Sequence, residues 1–288
     1  MIGSGPPYFE MQPHAALRDA VRCVWVYAPD DAEPTPQRIP PDGCPEVVIH
    51  FGAPHMRIEA GAAIPHPRLL FAGQITAPLA VQATGPFAVL GVRFEPDGAR
   101  GFIGRSMNEV TDRQIDLACA SGACAKGQRA VALLKDVTAL DAWDARIDAV
   151  QHYVAAVMAT NNVEIDPHLR AVVRHLEHGA HVDDPYALSA RQMQRRFTDR
   201  VGVPAQTLAA IFRFRRVFDE IEKACTPRWI EAALGAGYFD QPQMARDFRR
   251  FLGCTASDWA RQKIGLGASL AGRGRVSASY KPERPNAD

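Results

Sequence analysis

RWIEAALGAGYFDQPQMARDFRRFLGCTASDW, residues 228–259, reads as two short helices around a glycine-bearing turn. Trp229 to Leu234 has an apolar pattern of helical period, and Gly235-Ala236-Gly237 interrupts it, glycine supplying backbone angles that other residues avoid. A second helix is expected after Asp240, whose carboxylate can cap the first free N–H groups, with Pro242 in the first turn where its missing N–H costs nothing. Met244, Phe248 and Phe251 recur at i, i+4 and i+7 and make one buried stripe. Gln241, Gln243, Arg246, Arg249 and Arg250 are left on the outward side. Amides and guanidinium groups on an exposed helix behind a tight turn are the groups that bond base edges and phosphates, so the pair reads as a helix-turn-helix. The plain alternative is an amphipathic helix pair in some other all-helical domain.

GYFDQPQMARDFRRFLGCTASDW resembles the second helix-turn-helix of the AraC/XylS family of bacterial transcription regulators. The family pattern is met at Gly237, Tyr238, Asp240, Gln241, Phe248, Arg249, Arg250, Gly253, Thr255 and Trp259, and is departed from at Ala256, where the family has proline. Upstream, LSARQMQRRFTDRVGVP (Leu188 to Pro204) is similar to the recognition helix of the family's first module, with Ser189 as cap and Met193 and Phe197 inward. FRFRR (Phe212 to Arg216) falls in the helix that joins the two modules. The resemblance implies base contacts from Gln241, Gln243 and Arg246 in the second module and from Arg191, Gln194 and Arg195 in the first. It gives Arg196, Arg249 and Arg250 to phosphates, which set register and make affinity salt-dependent.

One piece is short. A helix over His168–His178 is followed only by GAHVDDPYA before Leu188, where the family places about seven more residues, and Pro185 disfavours a helix there. The first helix of the first module is therefore expected to be truncated or missing, which removes its brace and its phosphate contact.

The remaining chain suits two domains at 288 residues with 47% hydrophobic content. Net charge is +1, so a nucleic-acid surface must be local; residues 164–265 hold sixteen Lys/Arg against thirteen Asp/Glu, clustered at 191–200, 213–216 and 246–250. The N-terminal part offers short strands at Val24–Tyr27, Glu46–Phe51, Leu69–Ala72, Leu79–Ala83 and Ala88–Phe94, separated by Gly and Pro, which argues for an antiparallel barrel or sandwich. Gly98–Ile103 reads as the start of a helical continuation with Met107–Leu117 as its cover, and helices are expected at 128–137 and 142–160. The second of these carries Trp143, Ile147, Val150, Val154 and Val157 on one side, a stripe fit for a dimer surface or a link between domains. PPDGCPEVVIHFG and GVRFEPDGARGFIG, with GQITAP between, look like the sensor domain of one branch of the family, and imply a ligand- or partner-binding role.

The chain is thus expected to be α+β: a β-rich sensor domain at 1–118, a helical link at 119–163, an all-α double helix-turn-helix domain at 164–265 and a disordered tail at 266–288. The expected function is a sequence-specific, effector-responsive transcription regulator reading the major groove of double-stranded DNA. The alternative is a ligand- or protein-binding module with a partly degenerate DNA-binding domain. An unknown small-molecule effector, RNA polymerase and a second copy of the chain are the further candidate partners. No cofactor or metal is expected: the six cysteines lack C-x-x-C spacing, and His175, His178 and His181 read as a surface cluster. Asp42, Cys44 and Glu46, and the pair Glu95 and Asp97, bring no nucleophile or acid–base partner, so no enzyme is expected. No apolar run approaches a membrane span and no leader pattern opens the chain, which points to a cytoplasmic protein.

Overall fold

Alternation along the strands organises the N-terminal half in a computed structural model, which describes residues 8–29, 36–118, 125–179, 190–223 and 229–262. Ten strands run in chain order: β1 Tyr8–Met11, β2 Val21–Tyr27, β3 Gln37–Ile39, β4 Glu46–Gly52, β5 His55–Glu59, β6 Ala62–Pro65, β7 Leu69–Ala72, β8 Leu79–Ala83, β9 Phe87–Phe94 and β10 Gln114–Asp116. They form a six-stranded sheet, β1-β2-β9-β4-β7-β10, and a four-stranded sheet, β3-β8-β5-β6, with every pairing antiparallel. The arrangement is sandwich-like, and the sheets do not close into a barrel.

The larger sheet buries both faces. Val24 and Val26, Val47 and Ile49, Leu69 and Phe71, and Leu90, Val92 and Phe94 point to one core. Their neighbours Cys23 and Trp25, Val48, Leu70 and Val89 point to the other, towards the smaller sheet. This is the two-residue repeat of a pleated strand with apolar groups on both sides.

Helices cover the first face: α1 Arg100–Ile103, α2 Ala125–Ala139 and α3 Trp143–Asn161. The Ile147, Val150, Val154 and Val157 stripe of α3 is buried against this sheet core. The surface expected to serve a dimer or an interdomain link is therefore spent inside the N-terminal unit. Met107–Leu117, expected as a cover for the helical stretch at Gly98–Ile103, is a 3-10 turn at Met107–Glu109 and strand β10, with Asp112 at φ 57° between them.

Among the described residues the regular elements of the C-terminal half are all helices: α4 Pro167–His178, α5 Ala190–Val201, α6 Ala205–Lys223, α7 Trp229–Gly235, α8 Gln241–Leu252 and α9 Ala256–Gln262. α6 is its axis. Leu208 and Phe212 pack with Leu169, Val173 and Phe197 of α4 and α5, whereas Phe214, Val217 and Phe218 pack with α7 and α8. The shortened first module and the tail fall on residues 180–189 and 263–288, outside the described residues.

Candidate functional site

The second helix-turn-helix is built as its sequence dictates. Gly237 takes φ +87° in the turn, and Asp240 caps α8 by accepting from Gln243 N at 2.7 Å. Phe248, 0% exposed, is gripped by the rings of Phe214 at 5.1 Å, Phe218 at 5.8 Å and Trp229 at 5.6 Å. That burial fixes the rotation of α8 and leaves Gln241, Arg246, Arg249 and Arg250 exposed.

Gln243 is the exception among the expected outward residues. Its Oε1 accepts from Phe239 N at 3.1 Å, so the side chain folds back to complete a reciprocal cap, and it is half-buried. Beside this cap stands a group that sequence reading passed over. Phe239 is 90% exposed, and Leu234 and Ile230 on α7 are 61% and 60% exposed. Only its solvent position marks Phe239 out, and that is not visible in sequence.

On α5, Arg191, Gln194 and Arg195 are exposed and, with Thr198 and Asp199, form one wall of a groove whose other wall is Ser106 and Asn108. Arg196 is paired with the Asp166 carboxylate that caps α4. The basic run in α6 is engaged within the protein. Arg213 binds Asp247 at 3.1 Å, Arg215 donates to Asp42 O at 2.9 Å, and Arg216 donates to Glu177 O at 2.7 Å and Ala236 O at 3.2 Å. These three guanidinium groups brace the domain, so the outward basic surface narrows to α5 and α8.

Both helices expected to read DNA are fastened to the N-terminal unit at their C-terminal ends. Arg38 of β3 donates to Leu252 O at 3.0 Å, at the end of α8. Thr111 Oγ1 donates to Gly202 O at 2.7 Å, just past α5, and Arg100 pairs with Asp199 at 3.1 Å. Further pairs join Arg170 to buried Asp97 at 2.8 Å and Arg22 to Glu177 at 2.8 Å.

Between the two sheets lies a cavity of about 110 Å³. Trp25, Val48, Leu70, Val81 and Val89 supply apolar wall, and Asp42, Glu46, Arg93, His50, His55 and His66 supply polar groups. Arg93 is 2% exposed; its Nε lies 2.7 Å from Glu46 and 3.2 Å from Asp42, and its Nη1 lies 3.5 Å from Glu10. Burial holds the Glu46 carboxyl above its ordinary range against the pull of Arg93. Burial likewise pushes the Cys44 thiol far up, so it is not a ready nucleophile.

The turn carrying Asp42 reaches both ways. Its side chain holds Arg93 in the cavity and its carbonyl accepts from Arg215 of α6, while Gly43 packs on Leu208 and Phe212 of the same helix. His14, Asp148 and His152 bring three ligand atoms within 4.8 Å of one another and are the one such group among the described residues. Asp148 and His152 are exposed, and ion pairs at 3.1 and 3.2 Å already join the three. His175 and His178 turn their Nδ1 atoms to helix carbonyls at 3.1 and 2.7 Å, and His181 lies outside the described residues. No described helix is long and apolar enough to cross a membrane.

Comparison with known families matches residues 185–262 to a helix-turn-helix domain and residues 9–116 to a domain of unknown function (DUF6597). No curated protein matches the chain. Among solved structures, the chain is similar to ToxT from Vibrio cholerae O395 at 8% identity, covering 84% of this chain and 97% of that one, with a TM-score of 0.41. Unsaturated fatty acid-bound ToxT from Vibrio cholerae strain SCE256 is similar at 7% identity over 82% and 94%, with a TM-score of 0.41. Residues 185–262 of this chain are a helix-turn-helix domain of the AraC type, a domain of DNA-binding transcription regulators, and they follow an N-terminal domain of a family without assigned function.

Proposed function

We propose that this protein reads double-stranded DNA by sequence with α8, and that a small molecule held between its sheets adjusts that reading. The observation that carries the first half is the intact, capped α7–α8 unit with Gln241 and Arg246 exposed on its outer side and Arg249 and Arg250 beside them. Glutamine can pair with adenine and arginine with guanine through two hydrogen bonds each, worth ~1–3 kcal/mol of discrimination per good contact. Arg249 and Arg250 take phosphates. Arg191, Gln194 and Arg195 are the corresponding readers on α5, and the wall at Ser106 and Asn108 narrows the approach of a duplex to them.

The second half rests on the Pro40–Glu46 turn, which contributes to the cavity at Asp42 and presses on α6 at Gly43. A ligand that favours one position of this turn shifts the population of α6 positions, and with it the reading helices. In this reading the N-terminal unit runs to about residue 163, since α2 and α3 pack into its sheet core, and residues 164–265 form the DNA-binding unit.

Selection from a random DNA pool tests the proposal, with wild type beside the Gln241→Ala/Arg246→Ala double variant. Wild type should enrich a motif of which the variant loses part. Equal motifs from both proteins would remove α8 as the reader; no motif from either, at low salt as at high, would favour a ligand- or protein-binding module instead.

A further inference from the structure

The cavity holds a feature that nothing in the DNA-reading scheme uses. His50, His55 and His66 meet at one end of it, with ring centroids 4.5 Å apart for His50–His55 and 5.5 Å for His50–His66. Both ring nitrogens of His50 and Nδ1 of His55 are buried without a hydrogen-bond partner, while the His66 ring has the Gln114 carboxamide beside it as a partner. His55 is 5% exposed. A buried polar atom left unpaired costs its full desolvation, so three in one spot mark a place where something else is meant to bind.

The chemistry of that something can be narrowed. Among the described residues, three metal-ligand atoms come together only at His14, Asp148 and His152; the three cavity histidines do not converge on one point, so they do not form a cage for an ion. Burial keeps all three rings neutral at pH 7, helped by neighbouring histidines at His50 and His55 and by Arg57 at His66, with His55 and His66 lowered to about 4 and His50 lowered well below its ordinary value. Arg57 is paired with Glu59 at 2.9 Å and also engages the Gln114 carboxamide beside His66 at 3.0 Å. The cavity's carboxylates, Asp42 and Glu46, are both held by Arg93. The histidine end of the cavity therefore offers N–H donors and no carboxylate of its own. Its remaining wall is apolar, and about 110 Å³ is somewhat less than the roughly 150 Å³ that accommodates benzene.

We propose that the cavity between the sheets binds a small organic monocarboxylate, its carboxylate among His50, His55 and His66 and an apolar body of about two to three carbons against Trp25, Val48 and Leu70. The identification of this acid as the effector rests on the reading given above; the binding site itself does not. A bound anion favours protonation of one ring, so binding takes up a proton and tightens as pH falls.

Calorimetric titration of the full chain tests it, with propionate and isobutyrate against their amides and against isobutylamine, at pH 6 and 8 and in two buffers of different ionisation enthalpy. The acids should bind about ten- to a hundredfold more tightly than the amides and the amine, with proton uptake and an affinity gain of up to about tenfold per pH unit on acidification. His50→Gln and His55→Gln should erase the preference for acid over amide; if either variant fails to fold, the wild-type ligand and pH series decides alone. Amide or amine binding as tight as acid, affinity independent of pH, or no binding of any probe at millimolar concentration would each overturn the site. A DNA mobility shift with and without isobutyrate separates the two claims. Acid binding without a change in DNA affinity keeps the site and removes its effector role, whereas loss of all DNA binding in an acid-binding protein rejects the regulator.

Discussion

Replacing Gly43 by alanine should loosen the seat of α6 on the N-terminal unit, and Gly61→Ala supplies the control. Both glycines have positive φ, +81° and +83°, so alanine at either meets the left-handed penalty of ~1–2 kcal/mol. They differ in what a new Cβ touches. At Gly61 nothing lies within 4 Å; at Gly43 the Cβ would come 2.9 Å from Phe212 Cε1 and 3.0 Å from Leu208 Cδ1. Phe212 and Leu208 are buried in the core shared by α4, α5 and α6 and cannot swing aside, so overpacking adds ~1–3 kcal/mol. The expected losses by urea denaturation are ~1–2 kcal/mol for Gly61→Ala and ~2–5 kcal/mol for Gly43→Ala. Leu208→Ala should recover part of the excess, a non-additivity that a double-mutant cycle reads directly. Equal losses for the two glycine variants, or strict additivity with Leu208→Ala, would show that the turn does not bear on α6.

Three further outcomes follow from the geometry. Phe248→Ala empties the centre of a ring cluster and should cost ~3–5 kcal/mol, whereas Phe239→Ala, at a site 90% exposed, should leave thermal stability unchanged while altering DNA selection; a large stability loss at Phe239 would contradict its exposure. Arg249→Ala and Arg250→Ala should each weaken binding across all sequences and lower the salt slope by about one, and an altered motif with an unchanged slope would make them base readers instead. For His55 the folded-state value of about 4 lies below the ordinary 6.5. The unfolded chain then binds the extra proton between those values, so stability present at pH 7 falls on acidification by ~1–2 kcal/mol at pH 5. His55→Gln should flatten that part of the profile, and an unchanged slope would mean the ring is hydrated.

Where one residue type implied one local outcome, sequence and structure agree. Asp240, the stripe Met244, Phe248 and Phe251, and the runs that became β4, β7, β8 and β9 are such places. β6 could not be seen because AAIP is exposed along its whole length, with no alternation to detect. Met107–Leu117 could be read only as a cover, because its form is set by long-range bonds, Thr111 to Gly202 O and Asp112 to Thr76. An apolar stripe states that a helix face is buried and not against what, so α3 pointed equally well to a partner chain and to its own sheet. The same ambiguity holds for charge: Arg213, Arg215 and Arg216 look like a DNA face until Asp247, Asp42 and the carbonyls of Glu177 and Ala236 are seen to occupy them. The histidine cluster joins residues on three separate segments, brought together by the β5–β6 pairing that His66 N extends to His55 O at 2.8 Å and by His50 N donating to Arg68 O at 2.8 Å.

The fastening of α5 by Thr111 and Arg100, and of α8 by Arg38, gives the N-terminal unit the part of a caliper. The distance between the two jaws is set by a rigid body lying off the DNA as well as by α6 between them. A fragment holding residues 164–265 alone should therefore accept half-sites moved apart or together by a base pair or two, where the full chain demands a single spacing. Binding to a ladder of spacer lengths measures this tolerance, and equal tolerance in fragment and full chain would mean that α6 alone sets the gap.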